Sequence, residues 1–161
     1  MPEIRFIKWL SVLALISTLC GCEKSAYEHL ADARQGLADI DYDDAVASAD
    51  AGLRSSPNEE TRWGLDLVKL EALARAGYGE EAKAQLEKLI SLDANRIPAS
   101  EYSATAHQLR VAGQGPVAIE VLDMGATFFP FDPVIGRLIE QSSSGGDPAE
   151  LEMLRSLGYI E

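Results

Sequence analysis

Apolar and small side chains recur along this chain at spacings of three and four residues, which is the pattern of an amphipathic helix. Leu30, Ala33 and Leu37 share one face of a first predicted helix in this way, and Leu86 and Leu89 share one further along. Proline and glycine interrupt the pattern at intervals. The sequence therefore predicts a series of short helices joined by tight turns.

The helical pattern repeats with a nearly constant period. Ala45, Ala82 and Ala118 stand at equivalent places, 37 and then 36 residues apart. A fixed period in the mid-thirties is typical of stacked helical hairpins. Two further sets of residues keep the same phase: Ala49, Leu86 and Leu122 inside the second helix of each hairpin, and Pro57, Ala94 and Pro130 at its end.

This periodicity predicts an all-α fold, a short α-solenoid of three helical hairpins followed by capping helices. The repeat domain covers residues 26–141, and its last part is a capping helix over residues 134–141. Serine and glycine over residues 142–146 predict a flexible linker. Residues 147–161 are expected to form a C-terminal helix and tail, in which Tyr159 and Ile160 fold back on the stack. The alternative for this tail is a detachable docking peptide.

The hairpins resemble tetratricopeptide repeats. The turn glycines of that family are matched by Gly77 and Gly113, and the small residue near the end of the second helix by Gly52 and Gly125. An alanine opens the second helix in all three copies. Ile40 replaces the turn glycine of the first copy, whose leading helix carries small or polar residues where the family has bulk, so an irregular first helix is expected.

The resemblance implies a concave groove that binds extended peptides. Three arginines on this face indicate a carboxylate or an acidic segment as the ligand. The lysine and asparagine clamp of chaperone-binding repeats is missing, so that role does not carry over. Projected onto this sequence, the groove is lined by Leu30, Arg34, Leu67, Glu71, Arg75, His107 and Arg110, with Tyr27 and Ser103 beside them.

The amino terminus has the pattern of a secretory signal over residues 1–21. Arg5 and Lys8 precede an apolar run over residues 9–19. This run is too short for a transmembrane helix, which needs ~20 residues. The segment 19–22 resembles the bacterial lipobox, and the resemblance implies that Cys22 is lipidated and followed by a short tether over residues 22–25. The alternative is an ordinary cleaved signal.

The chain is acidic, with 14 basic and 26 acidic residues. Removing residues 1–21 leaves 12 basic and 25 acidic residues, a net charge of −13. Such a surface repels phosphate backbones, so nucleic acid is not expected as a ligand. It favours basic partners or is simply a solvated helical surface.

Residues with catalytic chemistry are sparse. Both cysteines lie at the processing site, and His29 and His107 are far apart in sequence. Asp39, Asp41 and Asp43 are better explained by helix capping than by a calcium loop, because the required glycine and glutamate are missing. We therefore expect no enzyme activity, no metal, no cofactor and no small-molecule substrate. The aromatic run over residues 128–131 is expected to fill the core.

Together these features predict a bacterial lipoprotein, anchored to the inner or outer membrane, that binds a protein or peptide at the periplasmic face. One alternative is an accessory subunit of an envelope enzyme or of a secretion or pilus system. Another is a structural envelope protein that associates with itself.

Overall fold

The computed structural model describes residues 24–161, so the predicted signal peptide and Cys22 lie outside the described residues. Within 24–161 the chain forms helices and no strand, which confirms the all-α prediction. The helices are α1 (Ala26–Ala38), α2 (Tyr42–Arg54), α3 (Glu59–Ala76), α4 (Gly79–Asp93), α5 (Ala99–Val111), α6 (Gly115–Phe128), α7 (Pro133–Gly145) and α8 (Pro148–Ser156), with a short 3-10 turn at Ala94–Arg96.

Consecutive helices pair as hairpins, α1 with α2, α3 with α4, α5 with α6, and α7 with α8. Each odd-numbered helix also packs on the next odd-numbered one, and α6 contacts both α4 and α8. The predicted capping helices α7 and α8 thus form a fourth pair at the end of the stack. This is the predicted helical-hairpin architecture.

The hairpins approach closely at small residues. Ala45, Ala82 and Ala118 are all buried, as the repeat pattern predicts. At Gly125 of α6, an added Cβ would lie 2.9 Å from the Tyr102 Cβ of α5 and 2.9 Å from the Ile135 Cδ1 of α7. Glycine is therefore required where three helices meet.

Gly52 occupies the equivalent place in the first hairpin. A Cβ there would lie 2.9 Å from the Cβ of His29 in α1 and 2.8 Å from Cδ2 of Leu65 in α3. In the middle hairpin the corresponding Leu89 is fully buried instead. The seams are therefore tightest at the two ends of the stack.

The first helix is regular, and the expectation of an irregular α1 is wrong. The Ser25 hydroxyl accepts a hydrogen bond from the Glu28 backbone N–H, while the Glu28 carboxylate accepts one from the Ser25 N–H. The backbone N–H of Ser25, with its hydroxyl, lowers the pKa of Glu28. Glycine at position 36 lets the backbone of α2 approach α1 closely, because a Cβ at Gly36 would lie 2.9 Å from the backbone nitrogen of Ala45.

The acidic residues around the start of α2 cap the helix or accept hydrogen bonds from side chains of neighbouring elements. Asp41 accepts a hydrogen bond from the Asp44 backbone N–H, as a helix N-cap does. The Asp39 carboxylate accepts one from the Gln35 amide, and Asp43 accepts one from the Tyr78 hydroxyl at 2.9 Å. Capping at Asp41 confirms the prediction for this stretch.

The tight turns use the left-handed backbone conformation. Gly77 and Gly113 both have φ near 81°, whereas Ile40 adopts φ 63° at the equivalent place in the first hairpin. A side chain with a Cβ is strained there by ~1–2 kcal/mol. The first turn is therefore a local source of strain in an otherwise regular helix pair.

The segment 142–146, predicted as a flexible linker, mostly belongs to α7, which runs to Gly145. Ser142 is only 1% exposed and continues the buried face of Ile135 and Ile139. The Ser143 hydroxyl donates to the Ile139 carbonyl at 2.9 Å. The prediction failed because serine can bond the carbonyl four residues earlier and remain helical when tertiary packing holds it.

The aromatic run over residues 128–131 only partly fills the core. Phe129 packs edge-on against Tyr102, with ring centroids 5.9 Å apart, and Tyr102 is fully buried. Phe128 is about half exposed, and Phe131 is 95% exposed. The expectation of core filling is therefore wrong for Phe131, because the turn between α6 and α7 directs it away from the stack.

The tail folds back on the stack, as predicted. The Tyr159 hydroxyl donates to the Asp123 carboxylate of α6 at 2.9 Å, and Ile160 packs against the main core. Burial together with the Asp123 carboxylate raises the pKa of Tyr159 to about 12. The phenol therefore keeps its proton and its hydrogen bond throughout the neutral range.

We predict opposite effects for alanine at two helical glycines. Gly125→Ala should lower the free energy of unfolding by about 1–3 kcal/mol, because the added methyl overpacks the contact with Tyr102 and Ile135. Gly136→Ala in α7 is the matched control, since an added Cβ there meets nothing within 4 Å. It should raise stability by about 0.5–1 kcal/mol through helix propensity. Urea unfolding followed by circular dichroism measures both, and equal effects would contradict close packing at Gly125.

Candidate functional site

A cleft of about 300 Å³ opens between α5 and α7, with α6 as its floor. On each helix the lining residues are one, three or four positions apart, so their side chains lie on the same face and meet in the cleft. The cleft is lined by Ala106, His107, Arg110 and Val111 of α5, by Ala118, Ile119 and Leu122 of α6, and by Leu138, Gln141 and Ser142 of α7. We call this site the α5–α7 cleft.

The lining is mainly apolar, with a few polar groups. Ala118, Ile119 and Leu122 are buried at the floor, while His107, Val111 and Gln141 are exposed at the rim. A concave apolar space with a small number of polar groups is the usual form of a binding site. The α5–α7 cleft fits that description on a small scale, with room for one or two side chains.

One polar group in the cleft wall has no partner. Among residues 24–161, the buried hydroxyl of Ser142 makes no hydrogen bond. Leaving a buried hydroxyl unsatisfied costs about 1–3 kcal/mol. The hydroxyl oxygen has almost no accessible surface, so it lies behind the cleft wall and is not open to a ligand.

Arg110, predicted to bind a ligand, is held by the C-terminal helix instead. Its Nε lies 3.0 Å from Oε1 of Glu150, and its Nη2 donates to Oε2 at 3.1 Å. The Glu150 side chain is 4% exposed and lies beside the first residue of α6, Gly115. The positive end of the α6 dipole further favours the carboxylate there. Arg110 therefore joins α5 to α8 and forms one wall of the cleft.

Arg75 is also paired within the protein. Its guanidinium contacts the Glu71 carboxylate at 2.6 Å, one helical turn away on α3. The structure thus neutralises two of the three arginines that indicated an acidic ligand. The physical reason is local, since Glu71 and Arg75 are four residues apart and neighbours on a helix surface.

The other predicted groove residues are divided between core and surface. Leu30 is only 6% exposed and belongs to a core with Leu65 and Val68, so its assignment to the groove is wrong. Leu67 is half-buried against the main core. Arg34 is exposed on α1. Only His107 and Arg110 of the predicted set meet in the cleft, because the other five residues lie on α1 and α3.

The α7 side of the cleft was missed from the sequence. Leu138, Gln141 and Ser142 have the spacing of one helix face, but serine and glycine over residues 142–146 predict a linker there. The helical spacing across residues 138–142 was the signal that could have found them.

A second cavity of about 340 Å³ lies at the start of α3 and the end of α4. The Arg96 guanidinium stands 4.4 Å above the Trp63 ring and also pairs with Glu59 and Glu60. The buried Asp66 accepts hydrogen bonds from the Gln85 amide at 2.8 Å and the Lys88 ammonium at 2.7 Å, which ties α3 to α4. These contacts tie α3 to α4 within the second hairpin and hold the turn before α5 against α3.

Over the described part of the chain, no three histidine, cysteine, aspartate or glutamate residues are placed to hold a metal ion. Within the same residues, no helix has the length and apolar character needed to cross a bilayer. No family model, curated protein or solved structure matches the chain.

We predict that Arg110→Gln destabilises the protein by about 2–3 kcal/mol, because it leaves the Glu150 carboxylate buried without its charged partner. This value lies below the usual range for buried pairs because Arg110 is partly exposed. Arg75→Gln is the control, since an exposed pair within one helix contributes about 0.3–0.5 kcal/mol. Thermal unfolding monitored by circular dichroism compares the two, and an equal loss would refute the internal role of Arg110.

Proposed function

We propose that the protein is a bacterial lipoprotein whose tetratricopeptide-like hairpins bind a short segment of a partner protein at the periplasmic face of a membrane. The α5–α7 cleft is the observation that carries this proposal. It combines an apolar floor with an exposed rim that includes His107 and Gln141. Its size suits an apolar side chain and the adjoining backbone of an extended segment.

The chemistry of the cleft favours one kind of segment. With Arg110 paired to Glu150, the cleft holds no uncompensated arginine for a carboxylate, so an acidic ligand has little to gain. The net charge of −13 after residue 21 repels acidic chains. We therefore propose a neutral or basic segment with one apolar anchor.

The membrane anchor is proposed on the sequence before α1. The lipobox-like residues end at Cys22, and only Glu23 and Lys24 separate Cys22 from Ser25, the residue that caps α1. Two or more acyl chains on one residue give stable anchoring, whereas a single chain gives only marginal binding. The short separation would hold the helical stack close to the bilayer.

We predict that Cys22→Ser moves the protein from the membrane fraction to the soluble fraction and removes incorporation of labelled palmitate. Cys20→Ser serves as the matched control and should change neither result, because Cys20 belongs to the segment that is removed. A Cys22→Ser protein that stays in the membrane would contradict the anchor.

We predict that a photoreactive amino acid in place of Gln141, at the cleft rim, crosslinks a specific partner in native membranes. Leu138→Glu should abolish this adduct by placing a charge in the apolar cleft. The same photoreactive group in place of Glu87, on the exposed surface of α4, is the control for random collision.

The identity of the adduct separates the remaining alternatives. Adducts with a second copy of this chain would support a self-associating structural protein. A subunit of an envelope enzyme or of a secretion or pilus system would support an accessory role. Adducts equally strong at both positions, or insensitive to Leu138→Glu, would contradict recruitment through the cleft.

A further inference from the structure

The helix ends of the stack lie at two opposite edges, which differ in the residues that they expose. The starts of α1, α3, α5 and α7 and the ends of α2, α4, α6 and α8 lie at one edge, which we call the entry edge. Arg96, just before α5, pairs there with Glu59 and Glu60 at the start of α3. At the opposite edge, the Tyr78 hydroxyl of the α3–α4 turn bonds Asp43 at the start of α2.

Exposed apolar side chains concentrate at the entry edge. Ten large hydrophobic side chains are exposed over residues 24–161, and seven of them lie at this edge. The three at the opposite edge are isolated on separate turns, as single exposed hydrophobic residues commonly are. The seven are Tyr27, Leu92, Phe128, Phe131, Val134, Leu157 and Tyr159, and the other three are Ile40, Tyr78 and Val111.

The densest part of the entry edge is the turn between α6 and α7. Phe131 is 95% exposed, and Phe128 and Val134 beside it in sequence are each about half exposed. Keeping such side chains in water forgoes the free energy that their burial would contribute. Phenylalanine and aliphatic side chains of peripheral proteins enter the boundary between headgroups and acyl chains, so a bilayer surface suits this cluster.

The described chain also starts at the entry edge. Ser25 caps α1 there, and Cys22 stands three residues earlier. Three extended residues span at most ~11 Å. A lipid on Cys22 would therefore bring the entry edge, rather than the opposite edge, against the bilayer. This step rests on the proposed anchor.

We infer that the entry edge is a second membrane contact, in which Phe131 enters the interface of a phospholipid bilayer with Phe128 and Val134 beside it. The helices then stand on the membrane, and the lipid anchor and the aromatic turn hold the stack at two separate points. Residues 106–111 and 138–142 of the cleft lie toward the far halves of α5 and α7. The cleft therefore faces away from the bilayer, where a partner can reach it.

The test uses the full lipidated chain reconstituted into vesicles of phosphatidylcholine and phosphatidylglycerol. Phe131→Cys carries an environment-sensitive fluorophore, and Ile40→Cys, at a position 72% exposed on the opposite edge and outside the cleft, is the matched control. Under the proposed processing, Cys20 is removed and the Cys22 thiol is blocked. We expect a blue shift and quenching by spin-labelled lipid at position 131, and neither at position 40.

Vesicle flotation of the same samples separates the two proposals. Protein that floats with no blue shift at position 131, or with equal shifts at both positions, would overturn the membrane contact while leaving the anchor intact. Protein that fails to float would overturn the anchor together with the orientation built on it. A shift at position 131 that appears without vesicles and grows with protein concentration would assign this edge to contact between copies, against the inference.

Discussion

Close helix contact at small residues is the constraint on which the rest of this structure depends. Gly52 and Gly125 each stand where three helices meet, and the space for a single Cβ is already occupied by the neighbouring side chains. Ala45, Ala82 and Ala118 keep the seam within each hairpin narrow. Because the seams recur in phase along the chain, successive hairpins stack in the same direction. Parallel stacking in turn collects all odd-numbered helix starts at one edge.

Polar contacts then decide how the last helices sit on this stack. The bidentate pair between Arg110 and Glu150 joins α5 to α8, and the Tyr159 hydroxyl joins the tail to Asp123 of α6. Most of the groups involved are partly buried, so breaking either contact leaves a charge or a hydroxyl without a partner. These contacts cover the end of the core and leave the space between α5 and α7 open. The cleft is therefore a consequence of how the stack is capped.

The proposed anchor, the exposed aromatic turn and the cleft together define an orientation of the molecule relative to the membrane. The anchor and Phe131 share one edge, whereas the cleft lies toward the other. A protein held in this way would keep its binding site away from the lipid headgroups without a long tether.

The sequence by itself determined the helices and their phase. The spacing of Ala45, Ala82 and Ala118 and the cap at Asp41 depend on local chemistry or on a repeating pattern. Only the tertiary structure decided which side chains contact each other. Arg110 and Glu150 are 40 residues apart, and Ser142 stays helical because of the packing around it. Phe131 is exposed and Leu30 buried because side-chain exposure follows from the crossing of helices distant in sequence, which no local period encodes.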